Sequence, residues 1–283
     1  MKTIRFDKMQ GTGNAYLYVD ARNEAIENPE TLAAKMSDYH FGVGSDGLVL
    51  VLNSAIADFR MRMFNADGSE SAMCGNAARC VGKYVYEKKL TDKTEISLET
   101  GSGIKTLRLQ VTGGKVQKVS VDMDIPRLEA REIPVNYPDA MNVPLEGMNF
   151  TCVSMGNPHA VTFVDNVAAF DVEATGKKVE NHTLFPERTN VEFAQMVAPE
   201  RIKMRVWERG TGETLACGTG ACATLVAAVL KGKAKRKATI ELLGGELEVE
   251  WSEKTNRVTL TGGAEWVFNG ELKIENGTSK WKL

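Results

Sequence analysis

The apolar positions of this chain recur in short runs, many of them alternating with polar positions, and this pattern predicts β-strands. In the first half the predicted strands are 16–19, 48–52, 59–64, 96–99, 106–111 and 116–123. In the second half they are 160–164, 191–196, 202–207, 238–243, 246–251 and 257–260. Glycine pairs at Gly113-Gly114 and Gly244-Gly245 indicate tight hairpin turns. The sequence therefore predicts a mostly antiparallel sheet in each half.

Two segments break the strand pattern with a helical period, at 76–88 and 219–230. The second segment is apolar nearly all round, and a helix of that kind must be enclosed by other elements. Each half is therefore predicted to be a curved sheet wrapped around a central helix. The predicted fold class is mixed α/β, more specifically α+β, with two pseudo-symmetric domains.

The two halves repeat each other in one ungapped register. Cys74 and Cys217 are 143 positions apart, which is 217 minus 74. The same offset aligns Met61-Arg62 with Met204-Arg205, Glu70 with Glu213, Cys74-Gly75 with Cys217-Gly218, and Gly13-Asn14 with Gly156-Asn157. Prolines 126, 134, 138 and 144 fall in one stretch that suits a linker. We expect domains at 1–124 and 125–271, the first completed by a returning strand at 272–283.

Composition limits the classes of function. The chain is 43% hydrophobic and 25% charged, and its net charge is −2. This composition lacks the excess of positive charge that is typical of proteins that bind nucleic acid or anionic lipid. No apolar run approaches the roughly 20 residues of a membrane span, and the N-terminus lacks a signal-peptide core. A small-molecule partner and a cytoplasmic location are expected. Five cysteines, an odd count without zinc-type spacing, favour free thiols over disulfides or a metal site.

Cys74 and Cys217 each stand where a glycine-containing turn opens a helix. The unpaired N–H groups of a helix start lower the pKa of a thiol and also bind carboxylates. Two such thiols, related by an internal repeat and facing each other across a cleft, can exchange a proton on opposite faces of one carbon. The duplication therefore predicts an epimerase in which Cys74 and Cys217 are the paired acid and base.

Several segments resemble the diaminopimelate epimerase family, which works without pyridoxal phosphate. The matching segments are 64–70, 73–80, Gly156-Asn157-Pro158-His159, 207–210 and 214–221. The resemblance implies two domains with the active site between them, no cofactor and no metal. It also implies interconversion of LL- and meso-diaminopimelate, which serves lysine and peptidoglycan synthesis.

The resemblance also implies a role for each matching residue. Cys74 and Cys217 are then the acid and base, and His159 and Glu208 orient and poise the thiols. The residues implied to hold the substrate are Asn14, Asn65, Gly75, Asn76, Asn157, Asn190, Arg209, Gly218 and Thr219. The family usually has an acidic residue where this chain has Ala15, and a glycine where it has Ala77.

Other readings remain open at this point. A racemase of the same fold acting on proline or histidine is the nearest, although Asn65, Asn190 and Arg209 favour a long dicarboxylate. A thiol redox protein and a non-catalytic amino-acid-binding module are further alternatives. The pattern of residues 42–47 matches a dinucleotide-binding loop, but a strand follows it where that loop needs a helix. A homodimer is possible.

Overall fold

The computed structural model describes residues 2–275 and 278–282, and the chain divides into two compact units. Unit 1 runs to Val121 and resumes at Gly263, whereas unit 2 is Asp122–Gly262. The domains expected from the sequence were 1–124 and 125–271, with the return at 272–283. The predicted fold class is confirmed, because strands dominate both units and few helices accompany them.

In chain order, the first elements are β1 (Lys2–Gly11), β2 (Asn14–Asp20), α1 (Pro29–Ser37), β3 (Gly47–Leu52), β4 (Phe59–Asn65), β5 (Glu70–Ser71), α2 (Gly75–Glu87), β6 (Glu95–Thr100), β7 (Gly103–Thr112) and β8 (Lys115–Asp122). After a 3₁₀ turn at Ala130–Glu132 come β9 (Val143–Leu145), β10 (Met148–Ser154), β11 (Pro158–Phe163), α3 (Val172–Glu180), β12 (Asn190–Ala198), β13 (Arg201–Glu208) and β14 (Gly212–Thr214). The last are α4 (Gly218–Leu230), β15 (Lys237–Leu242), β16 (Gly245–Trp251), β17 (Val258–Gly262), β18 (Glu265–Glu275) and β19 (Thr278–Lys282).

Unit 1 is a mostly antiparallel sheet. Strand β1 pairs with β2 on one side and with β18 on the other, both antiparallel. The parallel pairs are β2 with β3 and β4 with β6. The turn between β7 and β8 has positive φ at both Gly113 and Gly114, which suits a two-residue hairpin. Since β18 pairs with β1 from Gln10 to Lys2, the return of the chain begins well before residue 272.

Unit 2 has the same plan. Strand β10 pairs antiparallel with β11, and the parallel pairs are β11 with β12 and β13 with β15. Helix α4 packs against strands β10–β13 and β15–β17 of this unit. Ten of its residues are buried, including the whole run from Gly220 to Ala228, so the prediction of an enclosed helix is confirmed.

The internal repeat extends to the helices. Adding 143 to the ends of α1 gives Val172 and Glu180, the ends of α3. Adding 143 to the ends of α2 gives Gly218 and Leu230, the ends of α4. The parallel pairing repeats as well, because Tyr16 pairs with Gly47 in unit 1 and His159 with Asn190 in unit 2. The repeat found in the sequence is thus a repeat of structure.

The sequence pattern misses several elements. Helices α1 and α3 have nine residues each, too short for a clear helical period. One predicted turn is displaced, because Gly245 already pairs with Leu242 and the turn falls on Leu243-Gly244. Of the described helices, none is both long and apolar enough to cross a membrane.

Candidate active site

In unit 1, Cys74 is the N-cap residue of α2, with extended backbone angles of φ −138° and ψ 125°. Its half-buried thiol donates to Oδ1 of Asn14 across 3.5 Å. The same oxygen accepts a hydrogen bond of 3.4 Å from Nδ2 of Asn76, in the first turn of the helix. Three of the predicted site residues therefore meet at one oxygen atom.

Asn14 is held by a carboxylate that sequence reasoning missed. Its Nδ2 donates to Oδ2 of Asp46 across 2.8 Å, and the backbone N–H of Ala15 donates to the same oxygen across 2.7 Å. In return, the backbone N–H of Asp46 donates to the carbonyl of Ala15. The signal was available, because Asp46 lies in the glycine-rich segment just before β3.

A buried guanidinium, also missed, lies one turn into α2. Arg79 is 0% exposed and donates to Oδ1 of Asn76, Oγ1 of Thr12 and the carbonyl of Gly263, at 2.9, 2.9 and 3.2 Å. Its positive charge adds to that of the helix start, where anions already bind favourably. Unit 1 therefore offers a thiol, amides and a positive potential at one place.

Two further predicted residues lie at the ends of neighbouring elements. Gly75 is the first residue of α2, and Asn65 is the last residue of β4. The amide of Asn65 donates to Oγ of Ser69 across 3.0 Å. Asn65 takes the position in unit 1 that Glu208 takes in unit 2, since 65 plus 143 is 208.

In unit 2, Cys217 is the N-cap residue of α4, and its side chain accepts from the backbone N–H of Gly220 across 3.4 Å. Its Sγ also lies 3.5 Å from Oγ1 of Thr219. Gly218 is the first residue of the helix, so the predicted backbone positions stand at its start. The thiol is buried, with 6% of the residue exposed.

The electrostatics of Cys217 differ from the prediction. Burial raises the pKa of its thiol well above the ordinary value, and the nearby carboxylates of Glu208 and Glu192 raise it further. The hydrogen bonds from Thr219 and Gly220 oppose these effects and are outweighed. The expected lowering of the pKa at a helix start is therefore wrong for this cysteine. Desolvation dominates over the helix terminus.

Glu208 is coupled to the same thiol. Burial raises the pKa of its carboxyl, while hydrogen bonds with Thr214 and Cys217 and the charge of His159 act in the opposite direction. The Thr214 hydroxyl donates to Oε1 of Glu208. Glu208 and Cys217 therefore influence each other's pKa, and the role of Glu208 in poising the thiol stays a prediction.

A chain of hydrogen bonds joins the other predicted residues to this helix start. Nε2 of His159 lies 3.0 Å from Oδ1 of Asn157, and Nδ2 of Asn157 donates to Oγ1 of Thr219 across 3.3 Å. On the opposite side, Nδ1 of His159 lies 2.7 Å from Oε1 of Glu192. His159 and Glu192 are both 0% exposed. Glu192 was missed, although a glutamate within the apolar run 191–194 was a signal for it.

Asn190 and Arg209 form a separate pair. Oδ1 of Asn190 accepts the backbone N–H of Arg209 across 2.9 Å, and its Nδ2 donates to the carbonyl of Pro158 across 2.9 Å. The Arg209 guanidinium donates to the carbonyl of Glu187 across 3.0 Å. Its half-buried position leaves donors for an anion such as a substrate carboxylate.

No group of three or more His, Cys, Asp or Glu side chains is arranged to hold a metal ion in the described part of the chain. The polar groups that converge at the two helix starts are instead thiols, amides, an imidazole and carboxylates. These are groups suited to binding an amino acid and to moving a proton.

Solved structures share this fold. A phenazine biosynthesis protein of the PhzF family from Bacillus anthracis superimposes with a TM-score of 0.73 at 18% identity, covering 97% of this chain and 100% of that one. A hydroxyproline epimerase from Agrobacterium vitis superimposes with a TM-score of 0.68 at 14% identity, covering 96% and 91%. At such identities the likeness establishes a common fold.

Sequence comparisons identify the class. The sequence profile described as diaminopimelate epimerase matches residues 6–129 and 151–267. A diaminopimelate epimerase from Methanococcus maripaludis is 56% identical over 277 residues, covering 96% of this chain and 100% of the relative. These matches define an isomerase of the amino-acid epimerase class. The chain belongs to the diaminopimelate epimerase family.

Proposed function

We propose that this enzyme interconverts LL- and meso-diaminopimelate without a cofactor, using Cys74 and Cys217 as the two proton-transfer groups. The observation that carries the proposal is the matched placement of the two thiols. Each is the N-cap residue of a thirteen-residue helix, and the two helices occupy the same place in two structural repeats. The family name of the relatives supports diaminopimelate as the substrate.

The chemistry follows from these groups. One cysteine, as thiolate, removes the α-proton and becomes a thiol, which leaves the electron pair delocalised into the substrate carboxylate. The other cysteine, as thiol, gives its proton to the opposite face of the carbon and becomes a thiolate. The overall charge is unchanged, and the roles reverse for the reverse reaction. The proposal requires that both thiols reach one α-carbon.

The carbanion needs more than two thiols. General acid–base catalysis supplies roughly 10²–10⁴-fold, whereas a well-aimed donor to a developing oxyanion contributes about 3–4 kcal/mol. We assign the donors to the helix-start N–H groups at Gly75-Asn76 and Gly218-Thr219, and to the amides of Asn14 and Asn157. Asn65, Asn190 and Arg209 would hold the distal amino and carboxylate groups, and Glu208 would poise the thiol of Cys217. We also expect each of the two predicted epimerase repeats, 1–124 with 272–283 and 125–271, to correspond to one of the two structural units.

Solvent-deuterium labelling tests the function. With LL-diaminopimelate in D₂O, the meso product should carry one solvent deuterium at the inverted carbon from the first turnovers. The unreacted LL substrate should retain protium over the same period, because the base that removes its proton differs from the acid that reprotonates it. Solvent exchange into proline, histidine or another amino acid, with none into diaminopimelate, would show that the substrate is wrong.

Cysteine variants test the mechanism. Cys74→Ser and Cys217→Ser should each lower turnover by about 100-fold or more, because a hydroxyl is a far weaker acid than a thiol. Cys222→Ala, which removes a third thiol within α4, should leave turnover nearly unchanged. Retention of turnover in either serine variant would contradict the two-base mechanism. Absence of epimerisation by the wild-type enzyme would instead favour the thiol redox alternative.

The remaining sequence-based expectations belong with this proposal. A place in lysine and peptidoglycan precursor synthesis follows from the proposed substrate. The small-molecule substrate is consistent with the family. A cytoplasmic location and a homodimer remain predictions.

A further inference from the structure

Strand β12 places a carboxylate in the apolar interior of unit 2. Glu192 lies between Val191 and Phe193, and all three residues are 0% exposed. Its Oε1 is 2.7 Å from Nδ1 of His159. Its Oε2 is also buried and has no hydrogen-bond partner among the described residues. A carboxylate in such a place is stable only beside a cation or with a proton of its own.

The surroundings of His159 supply that cation. Oε1 of Glu192 faces one ring nitrogen, and Oδ1 of Asn157 faces the other across 3.0 Å. The amide of Asn157 is oriented by its own donation to Thr219, which leaves its oxygen toward the ring. With Glu192 ionised, its oxygen and that of Asn157 are both acceptors, and each ring nitrogen then donates a proton to one of them. The imidazolium and the carboxylate then form a buried ion pair.

This ion pair lies against the catalytic helix start. A Cβ atom added to Gly220 would come within 2.6 Å of Oε1 of Glu192 and 3.2 Å of Sγ of Cys217. The backbone N–H of Gly220 donates to that sulfur. The absence of a side chain at Gly220 therefore lets the carboxylate approach the turn of α4 that holds the thiol.

We propose that Glu192 is a positioning residue that keeps His159 as an imidazolium aimed at Asn157, and thereby fixes the Asn157–Thr219 pair at Cys217. This inference rests on the proposed function and deepens it. The groups that can carry charge near His159 are Glu192 on β12, Glu208 on β13, Cys217 at the start of α4 and Cys152 on β10. Of these described groups and His159 itself, only the imidazole of His159 can carry a positive charge. Its charge offsets the carboxylates that surround the sulfur.

The ¹⁵N NMR spectrum of the histidine side chains tests the ion pair directly. Only three histidines are present, so His40→Gln and His182→Gln variants assign the His159 signals. In the wild-type enzyme at neutral pH, both ring nitrogens of His159 should show the shifts of protonated nitrogens. In Glu192→Gln one of them should show the shift of an unprotonated nitrogen. A single protonated nitrogen in the wild-type enzyme, or an unchanged His159 spectrum in Glu192→Gln, would overturn the inference.

Kinetics separate positioning from a merely structural role. Glu192→Gln should lower kcat on the order of 10–100-fold, the usual effect of removing the partner that orients a functional imidazole. KM should change less than threefold, since no substrate-binding group is removed. Glu192→Asp keeps the charge and should recover part of kcat together with the doubly protonated spectrum. A loss of kcat that is equal in the Gln and Asp variants would contradict the proposal.

The two proposals fail in distinguishable ways. If the wild-type enzyme exchanges no α-proton of any amino acid, the proposed function fails while the NMR result still decides the ion pair. If Glu192→Gln does not fold, the wild-type spectrum and that of Gly220→Ala remain decisive. The added methyl group should press on the carboxylate and perturb the His159 signals, and unperturbed signals would count against the inference.

Discussion

The two cysteines hold equivalent places in the repeat but have different neighbours. The thiol of Cys74 donates to the neutral amide of Asn14, and Asn76 donates to the same amide oxygen. Around Cys217 the contacts come from a hydroxyl and a backbone N–H, with Glu208 close by. Because burial and carboxylates raise the pKa of Cys217, this thiol keeps its proton at neutral pH in the absence of substrate. The two cysteines therefore occupy equivalent positions in the repeat but differ in the charged groups around them.

Asp46 offers a test of how the Cys74 side is organised. Its Oδ2 accepts from both Nδ2 of Asn14 and the N–H of Ala15. Asp46→Ala removes both hydrogen bonds and frees the amide that contacts the thiol. We expect kcat/KM to fall by roughly tenfold or more, since small misplacements of catalytic groups are costly. Steady-state epimerisation kinetics measure the effect.

The conservative variant at this position is the control. Asp46→Asn keeps an oxygen where Oδ2 stands, so it can still accept from Asn14 and Ala15. It should retain most of the wild-type kcat/KM. If Asp46→Asn is as impaired as Asp46→Ala, the charge of Asp46 is what matters, and the orientation argument is wrong.

Among the elements, α3 supports the turn that carries Arg209. Its last residue, Glu180, is buried and accepts the backbone N–H of Gly210 across 2.8 Å and the indole N–H of Trp207 across 2.7 Å. The guanidinium of Arg188 adds a third bond of 3.1 Å. The end of a short helix thus fixes the turn after β13 from both sides of Arg209.

This support should be visible as an effect on binding. In Glu180→Gln one of the three donors loses its acceptor, and the turn that orients Arg209 is loosened. We expect KM for diaminopimelate to rise roughly fivefold with a smaller change in kcat, which is the pattern for a lost binding interaction. Glu253→Gln, at an exposed ion pair with Arg236, is the matched control and should behave as wild type. A change confined to kcat would contradict this role.

The two central helices and many strands could be predicted from the sequence. Strands β1 and β10, of ten and seven residues, were not predicted, and β18 begins at Glu265, ahead of the return expected at 272–283. Both thirteen-residue helices are found within one residue of their predicted starts. The helical pattern extends over many residues in each, and a cysteine followed by glycine marks each start. Helix α1 lacks a side-chain cap, and β5 and β14 have only two and three residues. Such segments form because neighbouring strands complete them, which is a tertiary effect that local pattern does not record.

At the scale of the whole molecule, the repeat explains which site residues could be predicted. A position that recurs in both halves, such as Asn14 with Asn157, is visible because it occurs twice. A position that differs can be predicted only through the family resemblance, as for Glu208, which corresponds to Asn65. Glu192 and Asp46, which correspond to Val49 and Thr189 at the same offset, were predicted from neither source. The repeat therefore discloses the shared proton-transfer scaffold. It gives no information on residues that are present in only one of the two copies.

Each unit also buries a thiol that takes no part in the proposed chemistry. Burial raises the pKa of Cys80 in unit 1 from 9.0 to about 11, and that of Cys152 in unit 2 from 9.0 to about 12. The folded state thus keeps two protons that the unfolded state releases. Their contribution to stability is complete below about pH 9 and is lost as the pH rises toward these folded-state values.

We therefore expect the free energy of unfolding to fall between about pH 9 and 11, by about 1 kcal/mol per pH unit for each of the two thiols. Urea unfolding with a reductant present, repeated across this range, measures the slope. Cys152→Ala should be less stable at neutral pH but should lose stability more slowly as the pH rises, because one linked proton is gone. Val153→Ala deletes packing on the same strand without removing a thiol, so its decline should run parallel to that of the wild type. Equal slopes for all three proteins would mean that groups other than Cys152 govern the alkaline unfolding of unit 2.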